Sequence, residues 1–323
     1  MYYPYFRARQ NELFCLRELL KLNKLSKNIT PILEPVKCSK ALFDTLRDFI
    51  EAGHDIALIH NPEVGQFFSE YKEMLQDIQN EEDKTKAEAM QKRADEYKAI
   101  LNDKSIITAF INNDELADKI VKGNLDISNC FIINKKEGDC DFYLENGDKF
   151  EARMTFIPKD EDFKDEVIGN VSILENCFQK ARRNKDYIEN ADEFFSKYHL
   201  VYGKRGYQGF SDYSIVGDEF EESGFAPVAI AIHVVYFDEK KQLRIHHFVS
   251  DSNNSISDPA RKFEEAMGKL LDWENYENVR WTIGLNKLEN YYVNGKFPGL
   301  GVIKRYSIMH HLELISYFLG EDR

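Results

Sequence analysis

The sequence predicts an α/β protein, a TIM-like (β/α)8 barrel carrying a helical insertion and an extended β-hairpin. Three observations lead there. Short apolar, β-prone runs alternate with helical patterns four times between Tyr2 and Val121, the alternation expected of a parallel sheet with helices outside it. Further apolar runs bring the candidate strands to eight. No glycine fingerprint follows the first strand and no switch point is visible, so a doubly wound sheet fits less well.

The elements follow in order. Tyr2 to Phe6 is the first strand, and Leu13, Leu16, Leu19 and Leu20 mark its helix. Ile29 to Val36 precedes a helix over 41–52, Asp55 to His60 one over 64–78, and Ile106 to Ile111 one over 114–121. Cys130 to Ile133, Ala152 to Ile157 and Val171 to Leu174 add three strands, and Val228 to Phe237 is assigned as the eighth. Residues 77–104 are almost all charged or helix-forming, without glycine or proline, which predicts a solvated helical insertion. Residues 203–252 are read as a long glycine- and aromatic-rich loop, Tyr207 to Phe225, followed by a hairpin around Asp238 to Lys241. Ser257 or Asp258 caps a helix with Pro259 at its first position, and Phe263, Met267, Leu270 and Leu271 form its buried face. With no linker or repeat, residues 1–323 are expected to form a single barrel domain.

Composition narrows the function classes. A formal charge of −13 opposes broad adhesion to nucleic acid or to an anionic membrane, so any anion site must be local. The five cysteines are odd in number and widely spaced, which fits reduced thiols and neither a disulfide framework nor a zinc ribbon. The N-terminus meets Arg7 before any apolar run, and no run of about 18 apolar residues occurs. The expected location is cytoplasmic.

The densest set of special residues lies between Phe297 and Leu314. Pro298, Gly299 and Gly301 form a turn that opens a helix starting near Val302 or capped by Ser307, with Ile308, Leu312, Ile315 and Leu319 on its buried stripe. Lys304 and Arg305 then fall at the positive end of that helix, an unfavourable place for cations unless an anion joins them. Glycines, free backbone donors and two cations together predict an anion cradle. Ser307 and His311 lie one turn apart, but no nucleophile elbow accompanies them; His310 and His311, flanked by apolar residues, fit a packed core as well as a site.

In a barrel, chemistry gathers at the carboxyl ends of the strands. The first polar residues there include Arg7, Arg9, Glu34, His60, Asn112, Asn134 and Lys135. Glu34, between Leu33 and Pro35, is the candidate general acid or base, with His60 as alternate; pairing with an N-terminal arginine is the competing role. Arg7 and Arg9 would complete the lining around Gly299, Gly301, Lys304 and Arg305. Asp212 is a further candidate. His233 faces His246 across a symmetrical hairpin, or His247 if the register shifts by one; without a third ligand in a recognised spacing, no metal and no cofactor is assigned.

The opening Met1 to Glu12, Ile32-Leu-Glu-Pro35, Gly209-Phe-Ser-Asp-Tyr213, Phe248 to Asn253, Asp258-Pro-Ala260 and the block Phe297 to Leu314 together resemble the Beta-protein family of phages and bacteria. The similarity runs from end to end. It implies a TIM-like barrel and a phage-defence or mobile-element context, with the product of a neighbouring gene as a partner, and it carries over no catalytic residue. Two function classes follow: a barrel that binds, or binds and acts on, a phosphate-bearing small molecule or nucleotide, or a non-catalytic scaffold or regulatory subunit of a two-gene defence or toxin-antitoxin-like complex.

Overall fold

A computed structural model describes residues 1–222 and 226–320. In chain order the strands are β1 (Tyr5–Phe6), β2 (Ile32–Leu33), β3 (Ile56–Ile59), β4 (Ile106–Ile111), β5 (Phe131–Ile133), β6 (Ala152–Ile157), β7 (Gly169–Glu175), β8 (Asp192–Ser196), β9 (Gly209–Asp212), β10 (Ala231–Phe237) and β11 (Leu243–Val249). Eight of them form one parallel sheet in the order β1-β2-β3-β4-β5-β6-β7-β9. A parallel bridge between Tyr2 and Phe210 returns the last strand to the first, with Tyr3 N–H donating to Phe210 C=O at 2.9 Å and Phe210 N–H to Met1 C=O at 3.1 Å. The result is a nearly closed barrel surrounded by helices, the TIM-like fold the sequence predicts. At this seam any side chain on residue 209 would collide with the Tyr3 ring, so glycine allows β9 to come close.

The eighth barrel strand is therefore Gly209–Asp212 and not Val228 to Phe237. It is four residues long, begins with glycine and carries Ser211 and Asp212, so no apolar run announces it. The segment assigned to it supplies β10 of a separate antiparallel sheet, ordered β10-β11-β8. Of the expected loop Tyr207 to Phe225, residues 223–225 lie outside the described residues.

The chain forms two compact units. The first comprises Met1–Leu13, Ile29–Glu175 and Tyr202–Ser211. Its 77–104 segment is not wholly solvated: it contains the end of one helix, Phe67–Asn80, and a second, Lys84–Leu101, started by Asp83, whose side chain accepts from the Thr85 and Lys86 N–H groups. Ala94, Tyr97 and Ile100 are buried, and Tyr97 stacks on Phe43. Charge covers the outer face of this hairpin while its aromatic contact holds it to the helix Lys40–Glu51.

The second unit comprises Phe14–Asn28, Asn176–Val201 and the chain from Asp212 onward. Its sheet and three helices, Pro259–Leu271, Ile283–Val293 and Leu300–Gly320, share a core that includes Ile232, Val234, Phe263, Met267, Leu288, Ile308 and Leu312. Asp258 caps Pro259–Leu271 as expected, accepting from Arg261 N–H at 3.2 Å. Glu313 supplies the N-terminal acceptor of another helix, receiving the Ile283 N–H at 2.6 Å. Gly284 permits that approach, because a Cβ there would collide with the Tyr306 carbonyl. No described helix is long and apolar enough to cross a membrane.

Candidate functional site

At the carboxyl ends of β1 and β2, Glu34 is fully buried and saturated with donors. Its Oε2 receives the Tyr5 hydroxyl at 2.6 Å and an Arg7 guanidinium nitrogen, its Oε1 receives the Glu63 N–H at 2.8 Å, and Lys135 Nζ stands 3.7 Å away. Lys135 also bonds Glu63 at 2.9 Å. The competing role for Glu34, pairing with an N-terminal arginine, is thus occupied. At the carboxyl ends of β4 and β5, Asn112 donates to Asn134 Oδ1 at 2.8 Å, and Asn134 donates to the Phe156 carbonyl at 2.9 Å and to the Tyr143 hydroxyl at 3.2 Å. Asn61 clasps the Ile111 backbone in both directions, at 2.7 and 2.8 Å. His60 points elsewhere. It borders an apolar hollow of about 460 Å³ with Phe67, Tyr71 and Leu75, and burial pushes its pKa down. Arg9 N–H donates to Glu12 at 3.2 Å.

The C-terminal helix begins at Leu300, two residues before the earlier of its two expected starts, with Gly299 at φ +92° directly ahead of it. Lys304 and Arg305 therefore sit in its second turn, beyond most of the reach of the helix dipole. They also part company. Arg305 is bound to Glu18, which Lys287 holds from its other oxygen at 2.7 Å. Burial works to raise the Glu18 pKa, but bonds from Lys287 and Arg305 prevail and hold it low. Lys304 instead turns to a cleft.

The histidines of the C-terminal block are core residues. His310 Nε2–H donates to the Val235 carbonyl at 2.6 Å, which makes its Nδ1 the acceptor for the Thr282 hydroxyl at 2.9 Å. His311 Nδ1 bonds the Ser214 hydroxyl at 2.8 Å. Burial lowers their pKa values to about 4 and about 3. Asp212 accepts the Ser214 N–H at 2.7 Å. A Ser307–His311 pair is not formed: Ser307 Oγ has no hydrogen-bond partner.

Ser307 belongs to the lining of a cleft. Leu300, Ile303, Lys304 and Ser307 form one face of the first helical turns and line a cleft of about 720 Å³ in the second unit, together with Lys180, Arg182, Arg183 and His233. Lys180 is held by Glu219 and Glu221 at 3.4 and 3.1 Å. Among the described residues no carboxylate lies within ion-pair distance of Arg182 or Arg183. A second hollow of this unit, about 760 Å³, is bordered instead by Asp238, Glu239 and Glu274 and has the wrong sign for an anion.

The pleat of the three-stranded sheet sorts two carboxylates to opposite faces. His233 pairs with His247, the one-residue shift, and their Nδ1 atoms lie 2.7 Å apart. His247 Nε2 bonds Glu193 at 3.2 Å. On the other face Asp192 accepts from Arg244, from the Tyr236 hydroxyl at 2.7 Å and from His246 at 3.0 Å. Burial raises the Asp192 pKa and those bonds more than cancel it. Phe178 and Tyr187 wall the His233–His247 pair, with ring centroids 4.5–6.2 Å from the imidazoles. No group of three metal-ligating side chains occurs among the described residues.

The sequence candidates thus fall into sets. Glu34 and Arg7 meet in the first unit; Lys304, Ser307 and His233 meet in the second, and Arg305 is taken by Glu18. Sequence reasoning passed over Lys180, Arg182, Arg183 and Glu193, although a basic run, Lys180 to Lys185, in so acidic a chain was the available signal. Comparison with protein families, with characterised proteins and with solved structures finds no match to this chain.

Proposed function

We propose that the protein binds a phosphate-bearing small molecule or nucleotide in the basic cleft of its second unit. The observation that carries this reading is the convergence on one cleft of Lys304, Arg182 and Arg183 with the buried, unpartnered Ser307 hydroxyl. A buried hydroxyl without a partner costs free energy, and Lys and Arg side chains on one cleft supply charge-assisted donors to a phosphate. The cleft is of the size that holds small ligands. Leu300 and Ile303 would pack against the apolar part of the ligand while the cations hold its phosphate. In this reading Glu34 is an anchor of the barrel mouth, since Tyr5, Arg7 and the Glu63 N–H hold its side chain in place.

Thermal melts with inorganic phosphate, nucleoside monophosphates and triphosphates, and sugar phosphates test it. A salt-sensitive rise in Tm with at least one of them is expected, by the mass-action stabilisation of a bound state. No rise with any of them at millimolar concentration rejects the proposal.

A further inference from the structure

We infer that Glu193, His247 and His233 form a proton relay whose outer end, His233 Nε2, is the proton acceptor presented to a ligand in the basic cleft. The inference rests on the anion-binding reading for the ligand's identity, and on its own geometry for the relay. Glu193 accepts from His247 Nε2–H at 3.2 Å. That bond leaves His247 Nδ1 as an acceptor, and the 2.7 Å contact between the two Nδ1 atoms then requires His233 to be the donor. With Nδ1 committed, Nε2 is the nitrogen of His233 left to meet a ligand in the cleft that His233 lines.

Three features of the surroundings favour this arrangement. Phe178 and Tyr187 pack against the pair and limit its orientations. Burial, His247 and the positive Lys304 all keep His233 neutral, with a lone pair available near neutral pH. Asp192, which would compete for His247, is engaged on the opposite face by Arg244, Tyr236 and His246.

The chemistry is a proton transfer. When a hydroxyl or water beside the bound anion gives up its proton, the O–H bond breaks and an N–H bond forms at His233 Nε2. The proton on His233 Nδ1 passes to His247 Nδ1, and that on His247 Nε2 passes to the Glu193 carboxylate, so the negative charge moves from Glu193 to the new oxyanion. Lys304 and the arginines lie on the cleft to stabilise that oxyanion. His233 is the residue that touches the ligand; His247 and Glu193 are positioning residues.

Diethyl pyrocarbonate, followed by peptide mass spectrometry, tests the relay on the whole protein. His233 Nε2 attacks a carbonyl carbon of the reagent, monoethyl carbonate leaves, and the Nδ1 proton departs through His247. His233 is expected to be modified readily at pH 7. Its rate should fall several-fold in Glu193→Gln and recover in part in Glu193→Asp, with thermal melts showing both variants folded. Inorganic phosphate or AMP should slow it. An unmodified His233, or a rate unchanged in Glu193→Gln, overturns the relay. A rate that depends on Glu193 but ignores phosphate and AMP leaves the relay standing and overturns the choice of ligand.

Discussion

Replacing Arg7 by Met should expose how the barrel mouth is held together. The Glu34 side chain is 0% exposed and that of Arg7 is 7% exposed, so the substitution leaves a carboxylate inside the protein without its nearest cation. Breaking one partner of a buried pair costs about 3–5 kcal/mol. Here the lower end is expected, about 3 kcal/mol, because the Tyr5 hydroxyl, the Glu63 N–H and Lys135 remain beside Glu34. Urea denaturation gives the loss as a shift of midpoint at constant slope. Adding Glu34→Gln to the Arg7→Met variant removes the stranded charge while keeping an acceptor for the Glu63 N–H, and should recover about 1 kcal/mol or more. A loss below about 1 kcal/mol for Arg7→Met, or a double variant less stable than the single one, would refute the reasoning.

Arg305→Ala should destabilise the free protein by about 1–3 kcal/mol, since it removes a charged bond from a half-buried Glu18; unchanged stability in urea would show that Lys287 alone satisfies that carboxylate. The pH dependence of stability should carry the mark of the buried histidines. His310 and His311 have folded pKa values of about 4 and about 3 against an ordinary 6.5, so on acidification the unfolded chain takes up protons that the folded one refuses. Stability should fall as pH drops from 6.5 towards those folded values, by about 1.4 kcal/mol per pH unit for each histidine, and this contribution is complete below them. Urea midpoints between pH 7 and pH 5 that do not move would contradict the burial of both imidazoles as neutral bases.

Legibility followed local pattern. β4 and β6 have the ends that their mostly apolar runs predict, because a parallel strand covered on both faces reads as a near-continuous apolar run. β9 was hidden because Ser211 and Asp212 are buried although neither has the apolar, β-prone side chain that marks a strand in sequence. The block from Phe297 to Leu314 is dense in special residues, but local spacing does not separate their roles. His310, His311 and Glu313 bond to Val235, Ser214 and Ile283, partners distant in sequence, and only Lys304 and Ser307 of its polar residues line the cleft. The other half of that cleft comes from Lys180 to Arg183, more than a hundred positions earlier. No periodicity links two segments that far apart; the three-dimensional packing of the second unit does.

The central claim is that this cleft takes a phosphate, and titration calorimetry of wild type and Lys304→Ala with inorganic phosphate and AMP tests it most directly. Each charge-assisted bond is worth about 1.5–3 kcal/mol, which corresponds to a loss of roughly ten- to a hundredfold in affinity. The account predicts that wild type binds at least one of the two and that Lys304→Ala, shown to be folded by its thermal melt, binds it more weakly by that factor. Equal affinity in both proteins, or no binding by wild type, would contradict it.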